Sequence, residues 1–149
     1  MLEEILEDRE FGSMMGRNVY DLLNFLIKKG TTFDILANTK FVSFNPELPD
    51  EIKSSFNPSV ILFSLAGYTL SSVEISRDEI KFEAGFGADD FASSVVSIPI
   101  GAIIRVSIDE NIVLINFATY NPNDSKTKQE HSKQIFLNNP KNRDIFKGQ

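Results

Sequence analysis

The chain has 149 residues, 42% of them hydrophobic, which suits one domain with its own core. Thirteen Phe with neither Trp nor Cys leave that core to phenyl rings and aliphatic side chains, and exclude disulfides, thiolate metal sites and thiol nucleophiles. The net charge of −6 is uneven, because residues 1–120 hold nine Lys/Arg against eighteen Asp/Glu while residues 121–149 hold six against three, so the body is too acidic for a phosphate-binding surface.

The opening MLEEILEDRE is acidic and amphipathic, unlike a secretory or transit peptide. No apolar run approaches the roughly 20 residues of a membrane helix, so a soluble cytoplasmic protein is expected. Leu2, Ile5 and Leu6 share a face and predict a short first helix. Residues 14–29 predict a longer one, with Met15, Val19, Leu22, Leu23 and Leu26 on one stripe. Lys28 and Lys29 suit its last turn, and Gly30 suits its stop. The stripe needs burial, either in the core or against a second copy.

After Gly30 the periodicity changes to strands. TTFDILANT and KFVSFN are β-rich, and ELPDEIKSSFNP reads as a polar, proline-bounded loop. SVILFSL is a continuous apolar run of buried-strand length. VEISRDEIKFEA reads as a hairpin with Ile80, Phe82 and Ala84 on one face and Lys81 and Glu83 on the other. VVSIPIGAIIRVSID and NIVLINFA supply the last strands, with breaks at Pro99–Gly101 and Asp109–Asn111. Pro99 cannot donate to a ladder, so it marks an edge or a bend. From residue 121 a polar linker carries two apolar islands, at 135–137 and 145–146. The expected class is α+β: N-terminal amphipathic helices, a compact and mostly antiparallel β-barrel-like domain over 1–120, and a flexible tail over 121–149.

The stretch FEAGFGADDF, 82–91, invites a chemical reading. A dinucleotide cradle would need a third glycine and a following helix, and Asp89 and Asp90 would repel phosphate. The acid pairs Asp78/Glu79, Asp89/Asp90 and Asp109/Glu110 fall in predicted turns, without the alternating oxygen ligands of a hard-cation loop. The single histidine, His131, lies in the polar tail, so no Ser–His–Asp set can be assembled in the body. The reading is therefore not an enzyme, with no cofactor and no metal. Glycines beside a strand let another backbone approach, which suits either an extended-peptide seat or a simple bulge.

The segment DEIKFEAGFGA, 78–88, followed by VSIPIGAIIRVSIDEN, 96–111, resembles the stringent starvation protein B (SspB) family, adaptors of the ClpXP protease. VILFSLAGYTLSSVEIS, 60–76, keeps the family's strand spacing, and the likeness extends over roughly residues 15–117. It implies an Sm-like helix-plus-barrel domain that dimerises through its N-terminal helix. It also implies a groove for the degradation tag of stalled ribosomal products, seated on Phe82, Ala84, Phe86, Gly87 and Ala88. Gly85 stands where the family carries arginine, and Ala88 replaces its second glycine. DDFASSV is a longer acidic insert, and IVL replaces a glycine-rich stretch. Losing a cation and adding acids beside a groove changes which tag side chains are preferred.

The family also ends in a small basic–hydrophobic motif that docks on the ClpX unfoldase. RDIFK, 143–147, is similar, with Arg143, Ile145, Phe146 and Lys147 in comparable order. A coil over 121–142 would reach about 25 Å, suited to a tethered hand-off. The resulting expectation is a homodimeric, non-enzymatic adaptor that delivers ssrA-like tagged proteins to ClpXP, with no nucleic-acid or membrane partner. Its rivals are an assembly module that binds peptide with no protease partner, an RNA-binding Sm-like module, and an enzyme.

Overall fold

Arg9–Lys29 forms the principal helix, α2, preceded by the five-residue α1, Leu2–Leu6. Helix α2 starts earlier than the apolar stripe predicts, because the Asp8 carboxylate accepts the N–H groups of Glu10 (2.8 Å) and Phe11 (3.0 Å). This cap carries the helix through Gly12, whose N–H reaches the Asp8 carbonyl at 2.9 Å. The far end stops as expected. Gly30 is left-handed (φ 69°), its N–H bonds the Ile27 carbonyl, and Thr31 N–H bonds that of Leu26. Val19, Leu23 and Leu26 are buried, whereas Met15 and Leu22 flank them half-buried. In α1, Leu2 and Ile5 remain exposed.

A computed structural model describes residues 1–86 and 93–122. Two compact units divide the chain, Met1–Ala118 and Thr119–Gln149, and only residues 119–122 of the second are described. Among the described residues no helix is long and apolar enough to cross a membrane.

The first unit is α+β with two four-stranded sheets. Its remaining elements are β1 (Phe33–Asn38), β2 (Ser43–Asn45), α3 (Asp50–Lys53), β3 (Val60–Leu65), α4 (Gly67–Ser71), β4 (Glu74–Ile75), β5 (Glu79–Ala84), β6 (Ser94–Pro99), β7 (Ile103–Ile108) and β8 (Asn111–Ile115). One sheet has the order β3-β1-β7-β8 and the other β2-β6-β5-β4, and every pairing is antiparallel. The sheets do not close into a barrel among the described residues: β3 pairs only with β1, and the two-residue β4 covers only the first half of β5.

Alternation puts Phe33, Ile35 and Ala37 of β1, Ile80 and Phe82 of β5, and Val96 and Ile98 of β6 into the core. Pro99 ends β6 and leads into a 3-10 turn, Ile100–Ala102, that passes the chain to the other sheet beneath α2. It therefore marks a bend rather than an edge. The β7–β8 hairpin turns through Asp109 (φ 50°) and Glu110 (φ 66°), the paired left-handed conformation that matches strand twist. KFVSFN is a 3-10 turn, Thr39–Phe41, plus the short β2, and the 46–58 loop contains α3. Helix α4 has no counterpart in the sequence reading. SVILFSL is β3 as expected, but it is an edge strand, and Leu62 is 53% exposed.

Candidate functional site

Where β3 and the end of β5 face each other across the opening between the sheets lies a cleft of about 420 Å³. Val60–Ser64 forms one wall and Ala84, Gly85 and Phe86 the other, with Ser55–Asn57 and Thr69 also lining it. The sequence-predicted residues Ala84 and Phe86 are thus brought together here. Phe82 lies one layer lower, 1% exposed, and supports the cleft rather than lining it. Gly87, Ala88, Asp89 and Asp90 lie outside the described residues, as do His131, Arg143, Ile145, Phe146 and Lys147.

A ladder of phenyl rings runs from the core to this cleft. Phe82 of one sheet meets Phe63 of the other edge-on, with centroids 5.3 Å apart. Phe63 contacts Phe44 at 6.5 Å, and Phe44 contacts Phe86 at 5.6 Å and Phe56 at 6.1 Å. Phe56 and Phe86 close the cluster at 5.9 Å. Each such contact contributes about 0.5–1.5 kcal/mol beyond area burial, so the cluster holds the cleft wall in place without polar groups. Phe44, Phe56 and Phe63 come from three different elements, all more than twenty residues before Phe86, and local pattern carries no sign that they meet.

The 46–58 loop is tied down at the cleft. Asn57 Oδ1 accepts the N–H groups of Ser59 (2.7 Å) and Val60 (3.2 Å), and its carbonyl accepts the Thr39 hydroxyl at 2.9 Å. Exposed Lys53 is consumed within the loop by Glu47, 2.7 Å away, and its pKa is raised first by that hydrogen bond and then by the charge of Glu47.

The backbone of β3 has a definite phase. Thr39 N–H bonds the Ser59 carbonyl at 3.1 Å, one step beyond the Asn38↔Val60 register. Antiparallel hydrogen-bonded pairs alternate, so Ile61, Phe63 and Leu65 turn their N–H and C=O toward β1. Val60, Leu62 and Ser64 therefore turn theirs to the free edge. The Val60 N–H is taken by Asn57, and among the described residues the donors of Leu62 and Ser64 and all three carbonyls have no backbone partner. On the other wall Glu83 N–H bonds Ser72 Oγ (2.9 Å), which ends the β5 edge at α4.

At the α4 end, one carboxylate dominates. Tyr68 donates its hydroxyl to Glu83 Oε2 and Ser93 donates to Oε1, each at 2.8 Å. These two bonds, Tyr68 first, hold the Glu83 pKa below the ordinary glutamate range, and the same bond and charge push the Tyr68 phenol up. Among the described residues Glu83 has no cationic partner, since Lys81 is paired with Glu79 at 3.3 Å. The sequence reading placed Glu83 on the outer face of the hairpin. Its partners Tyr68 and Ser93 lie 15 and 10 residues away, so no local motif announces the arrangement.

A strand edge with open donors and acceptors beside an apolar cleft is chemically suited to an extended peptide. No protein-family model matches the chain, and no curated protein matches it.

Proposed function

We propose that the chain is a peptide-binding adaptor that takes an extended segment as an added strand along β3 and seats one of its side chains in the phenylalanine cleft. The observation that carries this reading is the edge of Leu62 and Ser64, unpaired among the described residues, which lines the same cleft as Phe86. Main-chain bonds to that edge supply affinity for any extended segment, and the cleft supplies selection.

The resemblance to SspB adaptors extends the proposal. The peptide is then a degradation tag of the ssrA kind, the opened two-sheet body is a relative of the Sm-like barrel, and the work is cytoplasmic and non-enzymatic. The cleft residues Ala84 and Phe86 are among those the resemblance names for the tag. The exposed apolar residues Leu2, Ile5, Met14 and Phe25 on the N-terminal helices offer the surface for a homodimer. Arg143, Ile145, Phe146 and Lys147 would dock on ClpX and deliver tagged proteins to ClpXP.

The test is fluorescence anisotropy of a labelled stalled-ribosome tag peptide from the same organism, titrated with the full chain. Micromolar or tighter binding, weakened about tenfold or more by Phe86→Ala, is expected. Adding the chain to ClpXP with a tagged substrate should then accelerate degradation. Binding without any acceleration would favour a peptide-binding assembly module with no protease partner. Absence of binding to tags and to peptide libraries alike would overturn the peptide reading.

A further inference from the structure

The cleft is apolar, but its α4 end is not. Glu83 immediately precedes the lining residues Ala84–Phe86, and Tyr68 precedes the lining residue Thr69, so the Tyr68–Glu83 pair adjoins the cleft without lining it. Both of its oxygens are held by neutral hydroxyls, which fix its position, and among the described residues no cation pairs with it. The neighbouring cations are committed elsewhere: Lys81 to Glu79 on the same strand face, and Lys53 to Glu47 in the loop at the opposite end. Asp50 and Glu51 add negative charge on that loop. The body as a whole carries eighteen acids against nine bases over residues 1–120, a net negative charge that favours cationic partners.

Resting on the peptide-binding reading above, we infer that the cleft selects peptides carrying a lysine or arginine side chain two or three residues from an aromatic or branched aliphatic anchor, and that Glu83 reads the cation. The spacing follows from strand geometry. Glu83 and Phe86 are three residues apart at a strand end, on the order of 10 Å, and an extended peptide alongside covers that distance in two or three residues. The anchor packs against Phe44, Phe56 and Phe86. The long cationic stem lies along the wall and places its charge on Glu83, where a carboxylate side chain would be repelled. Tyr68 and Ser93 are positioning residues in this scheme, because they orient the carboxylate and contribute no charge.

The experiment is selection from a random, N-acetylated and C-amidated dodecapeptide library on the immobilised full chain, repeated with Glu83→Gln, Glu83→Lys and Tyr68→Phe. Blocked termini ensure that any cation selected is a side chain. The native chain should enrich Lys or Arg at two or three positions from an aromatic or aliphatic anchor. Glu83→Gln should keep the anchor and lose the cation, and Glu83→Lys should replace it with Asp or Glu. For a single selected peptide, Glu83→Gln should weaken binding about three- to fivefold at low salt and less at high salt. Tyr68→Phe should show a smaller loss with the same charge preference. Circular dichroism and thermal melting of each variant establish that it is folded. Binders with no charge preference, or with an acidic one, would overturn this inference and leave the peptide reading standing. A library that yields no binders would overturn both.

Discussion

Ser64→Pro separates the edge of β3 from everything else the strand does. Ser64 is exposed, its side chain makes no hydrogen bond to the described residues, and its N–H faces the open edge by the phase set at Thr39 and Ser59. Proline there removes a donor that the β1–β3 ladder does not use. The preceding Phe63 is already extended, as a residue before proline prefers. Unfolding free energy should therefore fall by no more than about 1 kcal/mol, a shift of a few degrees in Tm. An added peptide strand, in contrast, loses one main-chain bond, a net of about 1 kcal/mol, or roughly fivefold in Kd. Ser64→Ala keeps the donor and should bind like the native chain. Amide exchange gives an independent reading, in which Leu62 and Ser64 exchange fast in the free protein while Ile61, Phe63 and Leu65 are protected, and peptide slows the first pair. Global unfolding of Ser64→Pro would show that the phase is wrong. Unchanged affinity in a folded Ser64→Pro protein would refute strand addition.

Phe82→Ala removes the ring on which Phe63 rests, 5.3 Å away, and should cost about 3–5 kcal/mol in urea unfolding, with the binding loss following from the unfolded fraction. Asp8→Ala deletes the α2 cap and should cost about 1 kcal/mol, read as a Tm shift without any change in peptide affinity, which would separate helix stability from the site. The pH dependence of the cation preference has a definite sign. Glu83 has a folded pKa depressed by Tyr68 and then Ser93, so its contribution is complete above the unfolded value of about 4.3 and is lost only as pH falls through the lower folded value. The ratio of affinities for an Arg peptide and its norleucine counterpart should accordingly persist to lower pH than an ordinary glutamate would allow. Tyr68→Phe should move the loss to higher pH. A ratio that already collapses near pH 6 would contradict this assignment.

Local sequence determined what depends on near neighbours. The α2 stripe, the Gly30 stop, the Ile80/Phe82 face of the β4–β5 hairpin and the break at Pro99 all follow from spacing or from one residue's backbone chemistry, whereas the choice of bend over edge at Pro99 came from the structure. The helix start was less legible because the Asp8 cap overrides Gly12 as a breaker, through hydrogen bonds to N–H groups that would otherwise be unpaired. The KFVSFN stretch turned as a 3-10 bend because the chain crosses there from one sheet to the other, a demand of topology rather than propensity.

The site divides in the same way. Ala84 and Phe86 were legible beside their glycine, but their partners were not. Apolar SVILFSL reads like a buried strand, and only the sheet order makes it an edge, with Leu62 in solvent and two donors unpaired among the described residues. Phe44 of one sheet and Phe56 of the 46–58 loop meet Phe86, Phe63 of the other sheet meets Phe44 and Phe82, and Tyr68 reaches Glu83 because α4 packs on β5 where the two-residue β4 ends. A sequence encodes periodicity and capping within a few residues, where contact follows directly from helix and strand geometry. Which edge stays unpaired, and which charge stands beside it, are properties of strand order, and strand order is settled by packing among segments tens of residues apart.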